Sequence, residues 1–375
     1  MRTHQWKKFF ISREFRIIGA CLAILPALGV HFFQAGDLTP DRQHAFVAKV
    51  VTTLLTQHHY SHPVLNDSAS SVQLDQYLEY LDANRLYFLA ADLAEFERYR
   101  FKLDDELASG NVETAFLIFN KFKRRANERF TYINNLLEHE FDFSLSEYYM
   151  PNREGVPWVH TVEELNELWR KRLKHEALSL KLAGKNWPEI ATTLKKRYAN
   201  LQRRIEEFDA ENVFQSYMNA LSESFDPHTS YLSPITSQNF NIEMSLSLEG
   251  IGARLVSEDE YTKVFEIVTG GPADRSKQLF ANDKIVGVAQ GEDGPMIDVI
   301  GMKLDDVVQM IRGKKGTVVR LEIISASSPP GSPTKTISLV RDKIVLTDRE
   351  VRSDTIEWSH NSRKHKIGVI TIPTF

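Results

Sequence analysis

The chain has 375 residues, 42% hydrophobic and 26% charged, with 46 Lys and Arg against 50 Asp and Glu. At roughly 100–200 residues per domain it holds two or three domains; its apolar content excludes a wholly disordered chain, and 18 Gly with 14 Pro exclude a fibrous one. A net charge of −4 exerts no general pull on nucleic acid.

The first segment reads as an export signal. Arg2, Lys7, Lys8, Arg13 and Arg16 stand against one acid, Glu14, and Ile17 to Phe33 then runs without Asp, Glu, Lys or Arg. A basic stretch before a short apolar one is the secretory pattern, and Ala27 with Gly29 suits cleavage after Gly29. An uncleaved anchor in the inner membrane is the alternative, because the apolar run nearly reaches the ~20 residues that span a bilayer. The single cysteine, Cys21, lies in this segment, so disulfide frameworks, thiol nucleophiles and cysteine-based zinc sites are excluded together from a mature chain.

Residues 41–225 contain three glycines and four prolines, a breaker density that suits long helices. Thr39 and Pro40 read as an N-cap and first helical residue. Phe116, Phe119, Lys123, Ala126, Phe130, Ile133 and Leu137 step by three and four along one helical face. Thr161 with Glu164 forms a capping box, and Leu194, Tyr198, Leu201, Ile205 and Phe208 make another apolar stripe. The basic clusters 121–125 and 195–197 read as solvated faces of these helices, not as a nucleic-acid surface.

From about 240 the period becomes alternating. Ile242, Met244, Leu246 and Leu248 fall on one face of an expected strand over 241–248. Further strands are expected at 263–268, 284–289, 318–324 and 336–340, with a helix at 303–311 stopped by Gly313. The run 366–375 is an apolar strand of the kind that sits inside a sheet, and its position at the end of the chain suggests truncation.

Leu248-Glu249-Gly250-Ile251-Gly252 follows the expected strand. Successive N–H groups in a glycine turn form a nest for a carboxylate, and the missing side chains let a ligand reach the backbone. An ordinary hairpin with two glycines is the competing account. The dinucleotide reading fails, because Leu255 stands where a third glycine is required and a strand follows. In the helix at 303–311, Leu304, Val308 and Ile311 form one stripe beside Val307 and Met310. One stripe can pack on the sheet while another lines a groove. An extended peptide adding to the strand after the glycine loop places its last apolar side chain there and its terminal carboxylate in the nest.

Asp226-Pro227-His228-Thr229-Ser230 contains three residue types of a charge relay, but such triads converge from separate segments and Asp-Pro starts a turn. His58, His59 and His62 lack a carboxylate partner at ligand spacing and read as a helix end. No cofactor or metal is expected.

These residues resemble the N-terminal part of the tail-specific (C-terminal processing) proteases of Gram-negative periplasms. The resemblance runs from about 39 to 375. Its carriers are Tyr77-Leu78-Glu79-Tyr80-Leu81-Asp82-Ala83-Asn84-Arg85-Leu86-Tyr87-Phe88-Leu89, the segment Asp226 to Pro234, Leu248 to Ala253, Gly270-Gly271-Pro272-Ala273, Asp283 to Val288, and Val299 through Gly313. It implies an α+β multidomain chain: signal peptide or anchor at 1–36, all-α helical domain at 37–240, PDZ domain at 241–327, then a hinge and the first strand of a truncated protease core at 328–375. It further implies a periplasmic serine endopeptidase whose Ser nucleophile and Lys base lie downstream of the strand at 366–375, so the chain as given has no catalytic residue and is expected to be inactive. The peptide-binding residues are then Leu248, Gly250, Ile251, Gly252, Leu304 and Val308. Leu346, in the segment Arg341 to Leu346, is the hinge residue, with simple core packing as its alternative role. The implied partners are C-terminal tails of exported or misfolded proteins and a lipoprotein adaptor on the helical domain; membrane contact is confined to the N-terminal segment. A non-catalytic PDZ adaptor on a helical platform is the competing function.

Overall fold

The computed structural model describes residues 36–329, 332–346, 351–360 and 363–373. Residues 1–35, with the expected export signal, Cys21 and the expected cut after Gly29, lie outside the described residues. The chain forms two compact units, divided between Tyr231 and Leu232.

The described part of the first unit is helical: α1 (Arg42–His58), α2 (Asp67–Asp82), α3 (Ala90–Phe96), α4 (Leu103–Ser109), α5 (Glu113–Leu136), α6 (Val162–Leu182), α7 (Trp187–Glu206) and α8 (Ala210–Phe225). On α5 the expected face is buried at Phe116, Phe119, Ala126, Phe130 and Ile133, with Leu137 buried just past its end and Lys123 half-buried at its edge. The Thr161 hydroxyl accepts from the Glu164 N–H at 3.1 Å and the Glu164 carboxylate accepts from Thr161, which closes the capping box and starts α6. The first helix begins two residues later than Thr39-Pro40 suggests. Asp41 takes the cap position, and its N–H donates to Nδ1 of buried His44 at 3.1 Å.

The motif 77–89 turns out to be a built corner. The Asp82 carboxylate accepts from the N–H groups of Leu86, Tyr87 and Phe88 and from the Trp158 indole, all at 2.7–3.1 Å. Arg85, at φ +54°, lies 4.0 Å over the Trp158 ring. Trp169, Tyr77, Phe88 and Phe96 are fully buried around this corner.

The second unit opens with a departure from the expected strand at 241–248. Residues Pro234–Ser245 form helix α9: Ser233 caps it, its hydroxyl accepting from the Thr236 N–H at 3.3 Å, and Pro234 takes the first turn. Strand β1 begins only at Ser247 and ends at Gly250, paired antiparallel with β8 (Asp342–Val345) so that Gly250 faces Asp342. The main sheet runs in the order β2 (Ala253–Glu258), β3 (Tyr261–Ile267), β4 (Lys284–Gln290), β6 (Val318–Ile324), β7 (Lys335–Val340), with β5 (Ile297–Asp298) also on β4. Short α10 (Pro272–Ser276) follows β3, and α11 (Leu304–Ile311) joins β5 to β6. Val264, Ile285, Val288, Val319, Leu321 and Ile323 form the core of this unit with Val307 and Ile311 of α11.

Strand β10 (Arg363–Thr371) confirms an extended run near 366, yet among the described residues it pairs only with β9 (Arg352–His360). Ile370 is 70% exposed, and no third strand of this unit lies against the hairpin among the described residues.

Candidate functional site

Gly250, Ile251 and Gly252 turn the chain from β1 into β2. Gly252 sits at φ +76°, a conformation that favours glycine, and a Cβ there would come within 3.1 Å of the Gly271 Cα. Carbonyls on the inner side of the turn are used: Ile251 accepts from the Ala273 N–H at 2.8 Å and Gly252 from that of Val268 at 2.9 Å. Among the described residues, the N–H groups of Ile251 and Gly252 donate to no backbone or side-chain acceptor. Both residues are buried, and paired donors are the rule at buried positions, so two adjacent free N–H groups form an anion-seeking feature. Ile251 is 3% exposed and belongs to the core of this unit.

The turn opens onto a cavity of about 650 Å³, within the ~300–1,000 Å³ range of ligand sites. One wall is β2, whose far edge has no strand partner among the described residues, leaving room for an added strand. The opposite wall is α11. Val307 packs into the core with Met310 against it, whereas half-buried Leu304 and Val308 line the cavity; Ile311, expected on the stripe of Leu304 and Val308, is buried in the core and also borders the cavity. Leu248, Gly250, Ile251, Gly252, Leu304 and Val308 are thus brought around one space. Val345 and Leu346 reach it too, and the Leu346 N–H donates to the Leu246 carbonyl at 2.8 Å.

Charge around the turn is arranged by the segment after α11. Buried Arg341 donates to the Ile311 and Met310 carbonyls at 2.8 and 3.0 Å, neutralising the C-terminal end of that helix. A Cβ on Gly313 would come within 2.9 Å of this guanidinium, which is why the stop must be glycine. Asp342, opposite Gly250, is held by Lys315 at 2.8 Å and Arg275 at 2.9 Å; hydrogen bonds from Lys315 and the Lys343 N–H pull its carboxyl down to about 2. Arg312 also lines the cavity, where burial lowers its guanidinium from the ordinary value.

Sequence reasoning missed α9. Ile235, Asn239 and Ile242 line the same cavity. The available signal was Ser233-Pro234, a cap followed by a first-turn proline, with apolar residues seven apart. Alternation over 241–248 hid it, because Ile242 and Leu246 are also four apart and satisfy a helix equally well.

The two motifs set aside in the sequence meet in the structure, His59 Nε2 lying 3.8 Å from the Asp226 carboxylate. Asp226 caps a turn, accepting from the His228 N–H at 2.8 Å. His59 ends α1 and meets Thr229 at 3.1 Å. Among the described residues there is no group of three His, Cys, Asp or Glu suited to a metal, and no helix long and apolar enough to cross a membrane.

Comparison with known proteins places this geometry. Residues 50–235 match the family model of the tail specific protease N-terminal domain, and residues 239–324 match that of the PDZ domain. Over 354 residues the chain is 42% identical to the tail-specific protease of Haemophilus influenzae, covering 94% of this chain and 50% of that one. It is 30% identical over 151 residues to the carboxy-terminal processing protease CtpA of Bacillus subtilis, covering 40% of this chain and 28% of the relative. Among solved structures, a PDZ domain of a carboxy-terminal protease from Vibrio cholerae in complex with peptide is 48% identical, with 27% of this chain and 100% of that one covered and a TM-score of 0.26. The chain thus spans about half the length of the Haemophilus relative and less of the other.

Proposed function

The chain belongs to the tail-specific protease family, and from that premise we propose that its second unit captures free C-terminal tails of other polypeptides for a C-terminal processing endopeptidase. The observation that carries the proposal is the pair of unused N–H groups at Ile251 and Gly252, at the head of an apolar cavity beside an open strand edge. The tail adds to β2 through main-chain hydrogen bonds, sets its last side chain against Leu248, Leu304 and Val308, and places its carboxylate on the nest. Peptide-bond cleavage, by a Ser hydroxyl deprotonated by a neutral Lys amine, is assigned to no residue of these 375.

Leu346 is the proposed hinge residue. It lines the cavity and is tied through its N–H to Leu246, so an occupant that shifts it also shifts the strand leaving the unit. Export to the periplasm, membrane contact through residues 1–36 and a lipoprotein adaptor on the helical unit belong to the same proposal. So do the domain limits at 37–240 and 241–327.

A fluorescent peptide ending in apolar residues is expected to bind the purified chain, and amidating its C-terminus to weaken binding by roughly 1–3 kcal/mol, the cost of leaving polar partners unmatched. Equal binding of acid and amide would remove the nest from the account.

A further inference from the structure

The cavity has a third wall that an edge strand and a groove helix do not require. Helix α9 has no fully buried residue, yet half-buried Ile235, Asn239 and Ile242, at i, i+4 and i+7, face the cavity while Phe240 and Met244 stay exposed. It is fastened to α11 by two side-chain bonds: Gln309 Nε2 donates to Gln238 Oε1 at 2.6 Å, and Arg312 Nη1 donates to Asn239 Oδ1 at 2.8 Å. Between these polar clasps and the apolar pair, α9 covers a space that remains large enough for an extended chain.

We propose that α9 is a specificity wall: Ile235 and Ile242 read the side chain next to the last in the bound tail, and the Gln238–Gln309 and Asn239–Arg312 bonds hold them over it. The inference rests on the tail-binding reading above. Successive side chains of an added strand point to opposite faces, so those that do not enter the Leu304–Val308 pocket point away from it. In a two-walled groove they meet water and go unread. Here they meet two isoleucines, so a charged penultimate side chain loses its hydration with no partner, whereas an apolar one gains contact.

The test is a set of fluorescent peptides that share an apolar last residue and differ only in the one before it, titrated by anisotropy against the whole chain. Unmodified protein is expected to bind a penultimate Val or Leu about tenfold more tightly than Asp or Lys, the discrimination available from a small apolar pocket. Ile235→Ala with Ile242→Ala should reduce that preference to about threefold or less while keeping the loss caused by C-terminal amidation. Asn239→Ala with Gln238→Ala, which opens the clasps and leaves the isoleucines in place, should also blunt it. If unmodified protein ignores the penultimate residue but still distinguishes acid from amide, the wall is overturned and the nest stands. If it distinguishes neither, the tail-binding reading falls, and the wall with it.

Discussion

At Gly252 the backbone takes φ +76° and passes within contact of Gly271, so Gly252→Ala adds both left-handed strain and a clash. Loss of about 1–3 kcal/mol of stability is expected, with weaker tail binding. At Gly270, φ +78° with open space around the would-be Cβ, the same change carries the conformational cost of about 1–2 kcal/mol alone. Denaturant melts of the two variants compare them directly. In the other unit, Asp82→Ala strips the acceptor from three backbone N–H groups and an indole, and roughly 2–4 kcal/mol is expected to be lost. Asp342 gives a pH signature. Its carboxyl is lowered from 3.8 to about 2, so its stabilising contribution is present above the ordinary carboxylate range and disappears as pH falls through about 2. A carbon-detected NMR titration should put its midpoint near 2, rising in Lys315→Met. The paired glycines were legible because a short turn between strands constrains residue type. The guanidinium of Arg341 behind Gly313 was not legible, since its partners come from remote parts of the chain.

Among the elements, α11 shows pattern reading at its strongest. Eight residues with two apolar stripes had to face two environments, and Val307 with Ile311 took the core while Leu304 with Val308 took the cavity. Periodicity alone left open which side chains went where, because both stripes are apolar; the family resemblance pointed to Leu304 and Val308 for the groove, and Ile311, on the same stripe, went into the core. Val307→Ala is accordingly expected to destabilise by about 1–3 kcal/mol with little change in peptide selectivity, and Val308→Ala to do the reverse. Thermal melts and peptide titrations of both variants separate the two roles. Helix α9 shows the opposite case. A residue at every second position on a strand also falls at every fourth on a helix, and only the Ser233-Pro234 start distinguishes them.

For the molecule as a whole, two separate hydrophobic cores accompany the division at Tyr231. Leu321→Ala, a cavity in the second core, is therefore expected to lower one calorimetric transition by the equivalent of about 2–5 kcal/mol, while Phe130→Ala lowers another. A single shifted transition in both variants would show that the cores melt as one. The change from helical to strand-rich was visible as a change in glycine density and apolar period, quantities that depend on local backbone need. The partners of β10 were not visible, because strand pairing depends on distant segments that leave no mark on the strand itself.

Ile251 has a divided role: its side chain is sealed in the sheet core while its N–H stands free at the cavity. Recognition written into the peptide bond is immune to every genetically encoded exchange except proline, and drift in the sequence cannot delete it without first damaging the fold. An ester in place of the amide, made by incorporating the α-hydroxy analogue at 251, removes one donor and spares the side chain. Such a protein should melt nearly as before yet hold an acidic tail end about 1.5–3 kcal/mol less tightly.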